Sequence, residues 1–115
     1  SGYLGLIDCA NDKLLKRIDK KEFHFVAKKI IMENNKEILI NEICIIKSFL
    51  IKVSRFSIIS RHEINCDNNQ ILRGRCFIEQ IYVNNKSKKI NTIEKRNMII
   101  LKKLVNKNYK NPFKQ

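Results

Sequence analysis

The sequence predicts a small β-rich domain with helical additions, and three observations carry that expectation. An apolar stretch at 71–83 is interrupted by Arg73-Gly74, with Ile71 and Leu72 before the break and Phe77, Ile78, Ile81, Tyr82 and Val83 after it. Glycine between two β-rich runs marks a bulge, a bend or a close approach of backbone. A second glycine-bearing apolar stretch, Gly2 to Asp8, stands at the other end of the chain. Beyond residue 84 a basic amphipathic pattern takes over. An α+β domain is the alternative these patterns allow. At 115 residues the chain supports one domain with a single modest core.

Taken in order, Gly2 to Asp8 reads as a strand of a strongly curved sheet, with Asp8–Asp12 as the turn that follows. Leu14, Leu15 and Ile18 resume an apolar run. Phe23, Val26, Ala27, Ile30 and Ile31 then recur at the spacing of one helical face, ended by Asn34-Asn35. From Ile38 to Ile59 the chain is strongly apolar but broken by charge, so it is not a membrane span. Leu39, Ile43, Ile46, Leu50 and Val53 follow a helical seam, while the wealth of isoleucine favours strand. Helix is expected over 38–53 and extended chain over 56–60. Asp67–Gln70 reads as a turn. Residues 84–92 form a polar basic linker, Thr92 caps a helix from Ile93 to about Asn106, and Pro112 closes the ordered part.

The net charge is +13, and it is unevenly placed. Residues 84–115 hold ten of the 24 basic side chains against a single acid, Glu94. Codon bias towards isoleucine, asparagine and lysine would spread lysine evenly, so the concentration points to a polyanion footprint. The four cysteines (Cys9, Cys44, Cys66 and Cys76) contain no Cys-x-x-Cys pair, and reduced thiols in an intracellular protein are the expectation. His62, Cys66 and Cys76 lack the spacing and the fourth ligand of a zinc site, so no metal is expected.

Two stretches carry a family resemblance. Ile71-Leu72-Arg73-Gly74, with Ile78 and Ile81 in the following aliphatic slots, resembles the second signature of the Sm and Sm-like RNA-binding proteins. Gly2, Leu4, Asp8, Asn11 and Leu14 or Leu15 resemble the later half of the first signature. The family's base-stacking position falls on Ala10 here, and Asn11 fits the family asparagine only if the loop is one residue short, since Asp12 stands at the usual offset. The resemblance implies a small, strongly bent barrel, incomplete at its start, with a helical insert at about 20–70 within a core of 1–83. The remaining 84–115 is the basic linker and C-terminal helix.

It also implies single-stranded RNA and other Sm-like subunits, in a homo- or hetero-oligomeric ring, as partners. Asp8, Asn11, Asp12, Arg73 and Gly74 would line the RNA site, with Arg73 stacking on or gripping a base. No nucleophile with a neighbouring base, no phosphate-binding glycine loop and no paired carboxylates stand out. The expected function is therefore a noncatalytic RNA-binding subunit in RNA processing, splicing or mRNA decay, in the nucleus or cytoplasm, with no cofactor and no membrane. A basic structural or interaction module, ribosomal-type or lineage-specific, is the alternative.

Overall fold

The computed structural model describes residues 2–33, 36–39, 41–66 and 71–113. Its elements are α1 (Gly2–Leu14), β1 (Phe23–Glu33), β2 (Cys44–Val53), β3 (Ser57–Cys66), β4 (Ile71–Asn84) and α2 (Lys95–Leu104). The strands form one antiparallel sheet in the order β1-β4-β3-β2. The helix α1 packs over β2 and β3, and α2 packs on β2. The β-rich, α+β description holds. The expected Sm-type barrel does not: the sheet has β1 and β2 at its two edges, and a helix lies across one face.

The N-terminal stretch is a helix, not a strand followed by a turn, and Asp8, Asn11 and Asp12 all lie within it. Its inward positions Ile7, Asn11, Leu15 and Ile18 are buried and recur every three to four residues. That spacing suits one face of a helix and its continuation, whereas a strand would bury Cys9 and Lys13 on the same face as Ile7, Asn11 and Leu15, and both are exposed. Gly5 sits inside this helix at an exposed position.

The helix expected at 23–31 is the strand β1. Lys28 is an extra residue there, because Ala27 faces Gln80 while Lys29 already faces Glu79. Before the bulge Phe23 and Phe25 point to the α1 face; after it Met32 does. A one-residue insertion in a two-residue period produces spacings of three and four, which imitate a helix. The same device explains the second misreading, the helix expected over 38–53. Within β2, Ile51 is the extra residue between Leu50, opposite Ser60, and Lys52, opposite Ile59. Leu50 and Val53, three apart, therefore share one face, while Ile51 turns to the other.

The Arg73-Gly74 break is a bulge within the continuous strand β4, not a joint between two strands. Gly74 faces Ile64 while Leu72 faces Asn65, which leaves Arg73 as the inserted residue. The aliphatic positions Ile78 and Ile81 would both be buried in the Sm-like pattern; Ile78 is buried, but Ile81 is only half-buried. The extended chain expected at 56–60 belongs to β3. The helix end expected at 34–35 and the turn at 67–70 lie outside the described residues.

Two core clusters share the face under α1. One joins Leu15, Ile18, Leu50, Ile58, Tyr82, Ile93 and Leu101; the other joins Ile7, Ile64, Cys66, Cys76 and Ile78. Tyr82 is the pivot of the first. Its ring stacks on Phe23 at 5.0 Å, and its hydroxyl accepts a hydrogen bond from Asn97 Nδ2 of α2 at 3.1 Å. Asn97 Oδ1 also accepts from the Asp19 backbone N–H, tying α2 to the chain that leaves α1. The basic side chains Lys95, Arg96, Lys102 and Lys103 cover the exposed side of α2.

Past α2, Asn106 donates its N–H to the Leu50 carbonyl, covering part of the β2 edge. Tyr109 then packs on the opposite face of the sheet against Phe49, with the Arg61 guanidinium 4.3 Å from its ring centre. Contrary to the expectation of four reduced thiols, Cys44 and Cys66 form a disulfide across β2 and β3. They are partners in the strand register, a proximity that spacing along the chain does not disclose. Among the described residues no helix is long and apolar enough to cross a membrane.

A methyl group added at Gly5 meets nothing within 4 Å. Gly5→Ala should therefore stabilise the fold by ~0.5–1 kcal/mol, the helix-interior difference between the two residues. Urea unfolding of the two proteins measures it; a loss of stability would mean that residue 5 is not in a helix.

Candidate functional site

The face of the sheet under α1 alternates apolar and polar side chains along β3: Ile58, Ser60, His62, Ile64, Cys66, all buried. Register then builds a chain of hydrogen bonds. Ser48 on β2 lies opposite His62 on β3. Ser48 Oγ is 2.8 Å from His62 Nδ1, and His62 Nε2 is 3.0 Å from Ser60 Oγ. Ser60 Oγ donates to Asn11 Oδ1 at 3.3 Å, and Asn11 Nδ2 donates to Gln80 Oε1 at 3.1 Å. One helix residue and residues from three strands thus share a single polar line through an apolar core.

The line has a direction. With the Asn11 amide nitrogen turned to Gln80, its oxygen is left as acceptor, so the Ser60 hydroxyl must donate to it. Ser60 Oγ then accepts from His62 Nε2–H, and the bare His62 Nδ1 accepts from the Ser48 hydroxyl. Burial holds the ring neutral, pushing the His62 pKa down from 6.5 to about 4.

Ser48 is the outer end of this line. It lines a groove of about 450 Å³ between α1 and β2, together with Leu6, Cys9, Ala10, Lys13, Leu14, Cys44 and Ile46. Its walls are mostly apolar, with one cation, one hydroxyl and sulfur. The Cys76 thiol, buried behind the groove, is pushed up to about 11 by burial and by the charge of Asp8. A second cleft of about 310 Å³ is lined by Lys21, Glu22, Asn84, Asn85 and Lys86 and holds no nucleophile with a base. Among the described residues no three His, Cys, Asp or Glu side chains gather to hold a metal.

The residues expected to bind RNA are distributed differently. Asp8 and Asp12 are exposed on α1, while Asn11, between them, faces inward to the polar line. Arg73 is engaged by the Glu42 carboxylate and donates to the Glu37 carbonyl, so it fastens both residues to the β4 bulge. Gly74 is buried within β4. His24, on β1, is half-buried and bonded to Asn85.

Sequence reading weighed His62 only as a zinc ligand and passed over Ser48. They are fourteen residues apart, and only the β2–β3 register brings them together. The available signal was the two-residue alternation through His62, with Ser60 and Ile64 on the same face.

The titration of His62 has a stability consequence. Its folded pKa lies below the unfolded one, so the unfolded chain binds the extra proton. Stability from this group is complete above about pH 6.5 and falls as the pH drops towards about 4, by roughly 3 kcal/mol in all. His62→Gln should lose that part of the acid slope. Urea unfolding at about pH 4.5 and about pH 7 measures it, and an unchanged slope would contradict a buried neutral ring.

No family model and no curated protein matches the sequence. Solved structures do match. A probable thioesterase from Escherichia coli, YbaW, superposes with a TM-score of 0.75 at 18% identity, over 90% of this chain and 83% of that one. A DHNA-CoA thioesterase from Staphylococcus aureus gives 0.74 at 15% identity, over 89% and 74%. A thioesterase from Thermus thermophilus, complexed with coenzyme A and zinc, gives 0.73 at 12%, over 86% and 78%. These likenesses overturn the Sm resemblance. The noncatalytic RNA-binding role and the RNA and ring partners rested on that resemblance and are withdrawn with it. A helix lying across one face of an antiparallel sheet, shared with these structures, is the hot-dog fold.

Proposed function

We propose that the chain is an acyl-thioester hydrolase whose acyl group lies in the groove between α1 and β2. The observation that carries this reading is the groove itself: an apolar slot with a hydroxyl–histidine pair in its wall. Its volume is within the range of small-molecule sites, and convergent polar groups in an apolar pocket are what orient a ligand. Leu6, Ala10, Leu14 and Ile46 suit a hydrocarbon chain, and Ser48 and Lys13 suit the carbonyl end. The fold is shared with structures described as thioesterases, one of them for a coenzyme A ester, which supports a coenzyme A thioester as the substrate class. The excess of 24 basic over 11 acidic side chains favours a carrier bearing phosphates.

Hydrolysis asks three things of such a site. The acyl chain must leave water, the carbonyl carbon must meet a nucleophile, and the departing sulfur must receive a proton. The slot supplies the first. A hydroxyl bonded to a neutral imidazole supplies the means for the other two.

The full chain, given acyl-coenzyme A esters of graded length, should consume them, as followed by loss of thioester absorbance. Ala10→Trp, which fills the slot from α1, should lower kcat/KM tenfold or more, about 1.4 kcal/mol or above in transition-state binding. Hydrolysis of no acyl length by the parent chain, or equal activity in the filled variant, would overturn the reading.

A further inference from the structure

We propose that Ser48 is the nucleophile of this groove, carrying the acyl group as a serine ester while the thiol departs. The inference rests on the hydrolase reading and names the group that performs its first step. Among the lining residues Ser48 holds the sole hydroxyl. It is partly exposed, whereas its base is fully buried behind it. The 2.8 Å separation from His62 Nδ1 is within the reach that nucleophile and base require, and Ser60 orients the base from the far side. The fixed direction of the polar line leaves Nδ1 bare, the form that takes a proton from a hydroxyl.

The other nucleophiles of the groove lack this arrangement. Cys44 is committed to its disulfide with Cys66. Cys9 is a free thiol on the exposed side of α1, with no hydrogen bond to a base among the described residues. Asp8 and Asp12 are exposed on the same helix and line neither groove nor polar line.

The step balances without a co-reactant. The Ser48 proton passes to His62 Nδ1 as Oγ bonds to the carbonyl carbon. The carbon–sulfur bond breaks, and the leaving sulfur takes the proton from Nδ1. Water then gives a proton to Nδ1 and its oxygen bonds to the ester carbon. The carbon–Oγ bond breaks, Oγ recovers the proton, and the acid leaves. The sum is thioester plus water to acid plus thiol. Burial makes His62 a weaker base, so proton transfer to Nδ1 is concerted with bond formation at the carbonyl carbon and no free imidazolium accumulates.

The test uses the full chain and two probes. The first is an acyl-coenzyme A ester quenched with acid during turnover, followed by peptide mass mapping. The second is a fluorophosphonate, which labels activated serines irreversibly. Acyl mass and label should both fall on the peptide position of Ser48, and not on Ser54, Ser57 or Ser60. Ser48→Ala should remove both; it should still unfold cooperatively, at a lower temperature than the parent chain because His62 Nδ1 loses its partner. His62→Gln should slow labelling by on the order of 10²–10⁴-fold, the range of a general base. Acyl trapping on the parent chain needs no variant, so a misfolded mutant does not blunt the experiment.

Thioester turnover with no acyl or label at Ser48, or with Ser48→Ala as fast as the parent, would overturn the serine while leaving the hydrolase reading standing. Labelling of Ser48 with no turnover of any thioester would do the reverse. Absence of both turnover and label would overturn the two together.

Discussion

His62 is buried between a helix and a sheet, and burial leaves neither ring nitrogen free to go without a partner. That single requirement organises much of the molecule. Ser48 and Ser60 satisfy the ring, Asn11 satisfies Ser60, and Gln80 satisfies Asn11. Because Asn11 belongs to α1, the polar line also fixes the rotation of the helix over the sheet. Apolar contacts through Ile7 below and Leu15 and Ile18 above hold the helix down without specifying that angle, since hydrophobic burial is non-directional. A partly satisfied line would be worse than a wholly apolar core, which makes each member sensitive to substitution.

The same line explains why a sheet residue can remain chemically poised. An apolar core alone would leave Ser48 as one more hydroxyl on a groove wall. Backed by an imidazole of fixed tautomer, it becomes a hydroxyl with a proton acceptor, the bare Nδ1, at 2.8 Å. The groove forms where α1 lies beside the edge strand β2. The disulfide between Cys44 and Cys66 and the chain at Asn106 bonded to Leu50 brace β2 at two points along its length. Lys13 adds positive charge at the same groove, towards the C-terminal end of α1.

Some of this was legible in the sequence. The β character of 71–83, the irregularity at Arg73-Gly74, the burial of Ile78 and a helix near the C-terminus all follow from local chemistry that the fold respects. The helix α1 was not legible as such, because Gly2 and Gly5 argue against helix locally while burial of Ile7, Asn11, Leu15 and Ile18 decides for it. The strands β1 and β2 were hidden by their bulges at Lys28 and Ile51, which turned a period of two into spacings of three and four. Arg73 looked like a ligand-gripping arginine beside a glycine, yet its charge meets Glu42. Ser48 with His62 could be seen only once the register of β2 against β3 was known, and that register depends on tertiary packing.

The most direct measurement of the account is the protonation state of His62 itself, read from the nitrogen-15 shifts of its imidazole in the folded full chain. A ring that remains neutral from about pH 8 down to about pH 5, with the proton on Nε2 and Nδ1 bare, is the expected result. A ring protonated on Nδ1, or one that becomes imidazolium near pH 6.5 as an exposed histidine does, would contradict it.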